Sequence, residues 1–219
     1  MELAWLGHSC FRLRSGASVV LTDPFPEGVG LSIGGAEALA VTISHGHPNH
    51  SNWRGVGGEP KVLDGPGEYE LSGIFVMGIM TPGGEGDPAG KSNTAYLIEM
   101  DNVRICHLGD VSGPLATTQV EALTPVDVLL VPAGGGCTVG ASQAVEMARN
   151  LEPRIVVPMH YKPSGLPGPL GDGGPFLREL GLRDAEPQAR LNVTATSLPA
   201  EMRVVVLEAQ GTPVQSQLL

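Results

Sequence analysis

Three histidines fall within six residues, in the stretch His45-Gly46-His47-Pro48-Asn49-His50. They follow directly on the apolar run Ala40-Val41-Thr42-Ile43-Ser44. That pattern reads as a short buried strand that delivers imidazoles to its C-terminal end. Neutral imidazole is the commonest protein ligand for zinc and also suits iron, copper and nickel. Gly46 lets the backbone turn tightly between two candidate ligands. Pro48 holds His47 in extended geometry, so the side chains splay instead of lining one helix face. A histidine-rich surface loop is the bland alternative; the strand leading into the histidines favours a metal site.

Two more strand ends carry residues of the same chemistry. Asp110 closes Cys106-His107-Leu108-Gly109-Asp110, and His160 closes Val157-Pro158-Met159-His160. An aspartate after glycine is commonly a turn residue, and a single histidine after a strand is commonly structural. Placed together at strand ends they gain weight, because sites in α/β proteins gather where strands end on one sheet edge.

The elements that must position these residues follow from the apolar periodicity. Strands are expected at Glu2–Leu6, Cys10–Arg14, Ser18–Thr22, Lys61–Leu63, Glu68–Leu71, Ile74–Ile79, Thr94–Met100 and Val103–Leu108. Asp101-Asn102 suits a tight hairpin turn between the last two. A short helical turn is expected at Glu37–Leu39. Beyond Asp110 strands alternate with helices: a helix at Thr118–Leu123 capped by Thr117, a strand at Val126–Val131, a helix at Ala141–Leu151 capped by Ser142, and a strand at Arg154–Val157. A helix at Phe176–Leu182 and strands at Leu191–Val193 and Met202–Leu207 complete the chain. This order suggests two packed sheets with helices outside.

The 219 residues suit one α/β domain spanning 1–219, long enough for a real core. Aromatics are only 4%, so that core must be built from Val, Leu, Ile and Ala. A net charge of −10 disfavours nucleic acid and anionic membrane as partners, leaving a small-molecule substrate as the expectation. Cys10, Cys106 and Cys137 are widely spaced and form no Cys-x-x-Cys pair, which implies neither a disulfide framework nor a thiolate zinc site. No sequence neighbour of Cys137 would lower its pKa, so a reactive thiol is not expected there. No basic segment followed by an apolar run opens the chain, and no apolar stretch approaches the ~20 residues of a membrane helix. A cytoplasmic protein is the default expectation, and oligomeric state is not legible.

At this point the chain resembles the metallo-β-lactamase superfamily. The matching stretches are Trp5-Leu6-Gly7-His8-Ser9-Cys10-Phe11, Thr22-Asp23-Pro24, the His45–His50 hexapeptide, Asp64-Gly65-Pro66-Gly67-Glu68-Tyr69-Glu70, Cys106–Asp110 and Val157-Pro158-Met159-His160-Tyr161. Together they resemble the branch of Zn-dependent hydrolases related to the ascorbate-6-phosphate lactonases. The resemblance implies a four-layer αββα sandwich with a dinuclear metal site at the sheet edge. It implies His45 and His47 on a first metal, His50 and His160 on a second, and Asp110 bridging both, one anion offsetting two cations. Zinc leads among the implied metals; manganese or iron fits the same nitrogen and oxygen donors.

Two departures from the family pattern stand out. The pattern His-x-His-x-Asp-His has Asn49 where the carboxylate belongs, and an amide oxygen is a neutral, weaker ligand. In the family that carboxylate also helps to orient the attacking water. A further family histidine is expected between the Ile74–Ile79 strand and Asn93, and this chain has none there. Glu85 or Asp87 is the candidate substitute. Other residues carry open readings. His8 matches a Gly-His-(Ala/Ser) motif and either supports the metals, touches substrate or is structural. Asp23 either supports the metal loop or caps a turn. His107 lies three residues before Asp110, so on a regular strand it faces the other way and reads as structural.

Asp110, Asn49 and His8 are accordingly the candidate catalytic residues, and His45, His47, His50, Asp110 and His160 the candidate metal ligands. The expected activity is metal-assisted hydrolysis of a small ester, lactone or phosphodiester at a partly degraded dinuclear site with partial metal occupancy. The alternative, from a different class, is a pseudoenzyme that keeps the fold as a binding module with at most one metal.

Overall fold

The computed structural model describes residues 1–83, 92–163, 170–183 and 185–214. In chain order the elements are β1 (Glu2–Gly7), β2 (Cys10–Ser15), β3 (Ser18–Thr22), β4 (Leu31–Ser32), β5 (Ala40–Thr42), β6 (Lys61–Leu63), β7 (Gly67–Leu71), β8 (Ile74–Pro82), β9 (Ser92–Met100) and β10 (Val103–His107). Then come α1 (Thr117–Leu123), β11 (Val128–Pro132), α2 (Ala141–Leu151), β12 (Ile155–Met159), α3 (Gly174–Glu179), β13 (Leu191–Asn192), β14 (Arg203–Val204) and β15 (Thr212–Pro213).

The strands form two large sheets. One runs β13-β1-β2-β3-β5-β6 and the other β14-β12-β11-β10-β9-β8-β7, with β15 and β4 as a separate ribbon. The α/β sandwich implied by the resemblance is therefore present. Side-chain alternation explains why the sheets stack. In the first sheet Leu3, Trp5, Phe11, Leu13, Val20 and Ala40 face inward, and from the second sheet Val76, Ile98, Ile105, Leu130 and Val157 meet them. The alternate residues of the second sheet, Cys106, Leu129, Val131 and Val156, face outward onto Leu123, Val145, Ala148 and Phe176 of the three helices. Strands buried on both faces read as continuous apolar runs, which is how β11 and β12 appear in the sequence. On the first sheet's outer face, Leu21, Val41 and Ile43 are covered by Phe25, Leu31 and Val56. The short 3-10 turns Glu27–Val29 and Trp53–Gly55 lie over that face, so this outer layer, among the described residues, is not made of α-helix.

Three local expectations need correction. Glu37 is extended and bridges Gly57 in parallel, with Ala38 N donating to Gly57 O and Gly57 N to Ala36 O; these cross-strand bonds take the place of a helical turn. Helix α1 starts one residue early, so Ala116 is its N-cap and Thr117 its first helical residue; Gln119 Oε1 accepts from Ala116 N at 2.7 Å. Helix α2 is capped likewise at Gly140, whose N–H donates to Gln143 Oε1, while Ser142 Oγ donates to Glu179 Oε1. A side-chain amide three residues on has replaced the hydroxyl cap in both helices. The Asp101-Asn102 turn forms as expected, both residues at positive φ (53° and 58°).

Direction now fixes the position of the site. β1, β3 and β5 run parallel to one another in the first sheet, as do β10, β11 and β12 in the second. His8, Asp23 and His45 follow the C-terminal ends of the first three; Asp110, Cys137 and His160 follow those of the second three. Two main-chain bonds tie these ends across the sandwich: His160 N donates to His8 O at 2.9 Å and Thr94 N to Ser44 O at 2.8 Å.

Candidate metal centre

Asp110 is the centre of the cluster. Its carboxylate is 6% exposed, and Oδ2 faces three imidazoles: His50 Nε2 at 3.3 Å, His160 Nε2 at 3.3 Å and His45 Nε2 at 4.0 Å. The backbone below it is held by Asn93, a buried side chain that accepts from Asp110 N at 2.9 Å and donates to Leu108 O and Thr81 Oγ1. Gly109 precedes it at φ +58°, and a Cβ there would meet the Ser44 side chain and Asn93 Oδ1. Only glycine allows this close approach with that backbone.

Asp23 orients two of the imidazoles at once. It is fully buried, and its Oδ2 accepts from His50 Nδ1 at 2.9 Å. Its Oδ1 accepts from Ser44 N at 2.7 Å, and Ser44 Oγ donates to Oδ2. Because that hydroxyl proton is committed, the Ser44 Oγ to His45 Nδ1 contact of 3.0 Å is made with the imidazole as donor. Both rings are thereby fixed with Nδ1 protonated and Nε2 toward Asp110. A carboxylate behind a histidine is the usual support of a metal-bound imidazole.

The electrostatics are those of a site built around cationic charge. Burial alone would lower His50, yet carboxylates on both ring nitrogens outweigh it and push its pKa up to about 10. Burial alone would raise Asp110; the His50 charge outweighs it and holds the carboxylate well below its ordinary range. Burial keeps His160 neutral, pushed down to about 4, and His8 neutral, at about 2. His8 and His160 both sit in the left-handed region, at φ 54° and 52°. Their rings pack edge to face at 4.4 Å, and each has a buried Nδ1 with no hydrogen-bond partner. Unpaired buried polar atoms are costly, so two on neighbouring rings of this cluster mark a place where a further group belongs.

Among the described residues, three groups could each hold a metal ion: His45, His50 and Asp110; His8, His50 and His160; and Asp110, Cys137 and His160. The cluster thus gathers His8, His45, His50, Asp110 and His160 from the sequence expectations. His47 is the exception. Its ring centre is 6.0 Å from those of both His45 and His50, and its Nδ1 accepts Asn49 N–H at 3.2 Å within the turn closed by His50 N to His47 O. A neutral imidazole accepting at Nδ1 carries its proton at Nε2, so in this arrangement His47 presents no lone pair to an ion. Asn49, partly buried, stands in the same turn. Glu85 and Asp87 lie outside the described residues.

His107 ends β10 and stands apart from the cluster, while the turn through Gly109 carries Asp110 into it. His107 is fully buried, its Nε2 donates to Ser9 O at 2.9 Å, and its ring packs against Phe11. Sequence reasoning missed Asn93 and set Cys137 aside. Asn93 had a signal: a polar residue at the start of an otherwise apolar strand. Cys137 had none, because its neighbours at the site come from β10 and β12.

An α/β sandwich with a histidine–aspartate cluster at one strand edge defines the metallo-beta-lactamase class. The family model for the Beta-lactamase superfamily domain matches residues 2–160, and the chain belongs to that family. It is 34% identical over 188 residues to a UPF0173 metal-dependent hydrolase of Methanoregula boonei, covering 74% of this chain and 82% of the relative. A crystal structure from Thermotoga maritima, described as a Zn-dependent hydrolase of the metallo-beta-lactamase superfamily, is 33% identical, covers 94% of this chain and 98% of its own, and superposes with a TM-score of 0.77. A metallo hydrolase from Ignicoccus hospitalis shares the fold at 21% identity and a TM-score of 0.66, over 97% of both chains.

Proposed function

We propose that this protein is a metal-dependent hydrolase acting on a small ester, lactone or phosphodiester. The observation that carries the reading is the convergence of His45, His50 and His160 Nε2 on one oxygen of Asp110. The donors fit a divalent cation. They are imidazole nitrogens and a carboxylate, two of the imidazoles are fixed from behind by Asp23, and unpaired buried nitrogens lie beside them. His45, His50 and His160 would hold the metal, with Asp110 shared between positions; His47 joins them only after its ring gives up the Asn49 N–H bond.

Bound ions at such a site lower the pKa of water and polarise the scissile oxygen. The chain's own groups do the rest. Asp23 keeps the Nδ1 proton on His50, so the Nε2 proton is the one that leaves when a cation is taken up. Buried His160, with the partly buried His8 packed against it, screens the inner side of the cluster, and the sheet-to-sheet bond between their backbones keeps that wall in place. Asn49, lacking a carboxylate, neither adds negative charge nor takes a proton from water. The site is therefore a weak version of the family's, with slow turnover and incomplete occupancy. Zinc is the leading metal, with manganese and iron compatible.

The test is turnover of a chromogenic phosphodiester and a chromogenic lactone by metal-reconstituted protein, compared with Asp110→Ala. Metal-dependent turnover lost in the variant supports the reading. Metal bound without turnover of any ester, lactone or phosphodiester would support the binding-module alternative, which the Asn49 substitution favours.

A further inference from the structure

Cys137 lies on the loop after β11, beyond Gly134-Gly135-Gly136, and its side chain reaches the cluster. Its Sγ is 3.8 Å from Asp110 Oδ2, and donor atoms of Cys137, Asp110 and His160 all lie within 4.8 Å of one another. Two of these three residues are buried, Asp110 at 6% and His160 at 1% exposure, and it is His160 Nε2 that faces the carboxylate. The spacing suits coordination. Zinc bonds of about 2.0–2.2 Å to nitrogen or oxygen and about 2.3 Å to sulfur, at a tetrahedral angle, put neighbouring donors roughly 3.3–3.7 Å apart. The His160–Asp110 separation of 3.3 Å and the Cys137–Asp110 separation of 3.8 Å are close to those edges.

The loop is built for the approach. Gly134 packs backbone to backbone against the loop after β12, where a Cβ would meet His160 O and Tyr161 Cα. A larger residue would push the two loops, and with them Cys137 and His160, apart.

We propose that Cys137 is a protein ligand of the metal position shared by Asp110 and His160, supplying the anionic donor that Asn49 does not. This rests on the metal-hydrolase reading and deepens it. On metal uptake the Sγ–H bond breaks, its proton leaves to solvent, and the sulfur electron pair forms the bond to the ion. A thiolate in the donor set favours zinc, cobalt or iron over manganese.

The experiment is a titration of the full-length metal-free protein and its Cys137→Ser variant with Co²⁺, followed by absorption. The expected result is a near-ultraviolet sulfur-to-cobalt charge-transfer band in the natural protein and its loss in Cys137→Ser, with visible cobalt bands retained in both. The exposed position of Cys137 leaves the fold of the variant intact, and its retained visible bands report that directly. Visible bands without the sulfur band in the natural protein overturn the thiolate ligand alone. So does a sulfur band that survives in Cys137→Ser, since it would come from buried Cys10 or Cys106. No cobalt bound by the natural protein overturns this proposal and the hydrolase reading together.

Discussion

Asp23 and His50 form the support on which the cluster stands: a fully buried carboxylate accepts from Nδ1 at 2.9 Å, and the opposite nitrogen faces Asp110 at 3.3 Å. Ser44 extends the same support to His45. Asp23→Asn removes the charge that favours Nδ1–H on His50 and leaves the amide with a donor facing one of its former partners. Metal affinity is expected to fall about 10–100-fold, the range for lost supports of metal-bound histidines. Isothermal titration of both forms with zinc checks this; unchanged affinity would assign Asp23 to turn capping alone.

The two histidines that flank Gly46 should differ. His45→Ala is expected to lose more metal affinity than His47→Ala, because His45 Nε2 faces Asp110 while His47 Nδ1 is taken by Asn49 N–H. Equal losses, measured by metal content after dialysis, would mean that His47 rotates into the site when metal binds.

His107 provides the contrast with Asp110. Replacing His107 by Gln is expected to destabilise the fold by about 1–3 kcal/mol through its buried bond to Ser9 O, with metal stoichiometry unchanged. Asp110→Ala should reverse that pattern and abolish binding. Thermal denaturation alongside elemental analysis separates the two, and metal loss from the His107 variant would contradict its purely structural role.

How much of this was legible in the sequence follows from which interactions are local. Strand ends, the hexapeptide, Asp110 and His160 were visible because apolar periodicity and turn residues are written in contiguous stretches. The helix caps were misplaced by one and two residues because a side-chain amide one turn inside competes with the obvious hydroxyl. Glu37–Leu39 was misread because its bonding partner, Gly57, is 20 residues away from Glu37, and a three-residue stretch has too little period to resist it. The roles of Asn93, Cys137 and Tyr96 depend on contacts far apart in the sequence: Asn93 and Cys137 meet the ends of neighbouring strands of the second sheet, and Tyr96 reaches across to the first. Tyr96 on β9 has its hydroxyl 2.9 Å from both Ile43 O and Leu63 O, bracing the second sheet against the strand ends that lead into His45. Nothing in the local sequence of a strand tyrosine announces that.

Proton competition should be visible at His50. With its pKa pushed up to about 10, it is charged at neutral pH in the metal-free protein, and metal must displace its Nε2 proton. His8 and His160, held down to about 2 and 4, are already neutral and add no pH dependence above about pH 5. Affinity for the first ion is therefore expected to rise about tenfold per pH unit between about pH 6 and 9, and to weaken on acidification. A flat profile across that window would mean that no proton is displaced from His50 on binding.

Asn49 is the residue that decides how far the site is weakened. Asn49→Asp restores a carboxylate able to hold water and accept its proton, help that is typically worth 10²–10⁴-fold in rate. The variant is expected to bind more metal and to turn over a generic ester or phosphodiester faster than the natural protein. If the natural protein already holds two ions tightly and Asn49→Asp changes neither quantity, the site is complete without that carboxylate.

The most direct measurement is a crystal structure of the zinc-reconstituted protein with anomalous scattering recorded on both sides of the zinc edge. The account predicts an anomalous peak in contact with Asp110 Oδ2 and with Nε2 of His50 or His160, at about 2.0–2.2 Å. Zinc-saturated crystals with no anomalous density at Asp110, or with the ion held elsewhere, would contradict it.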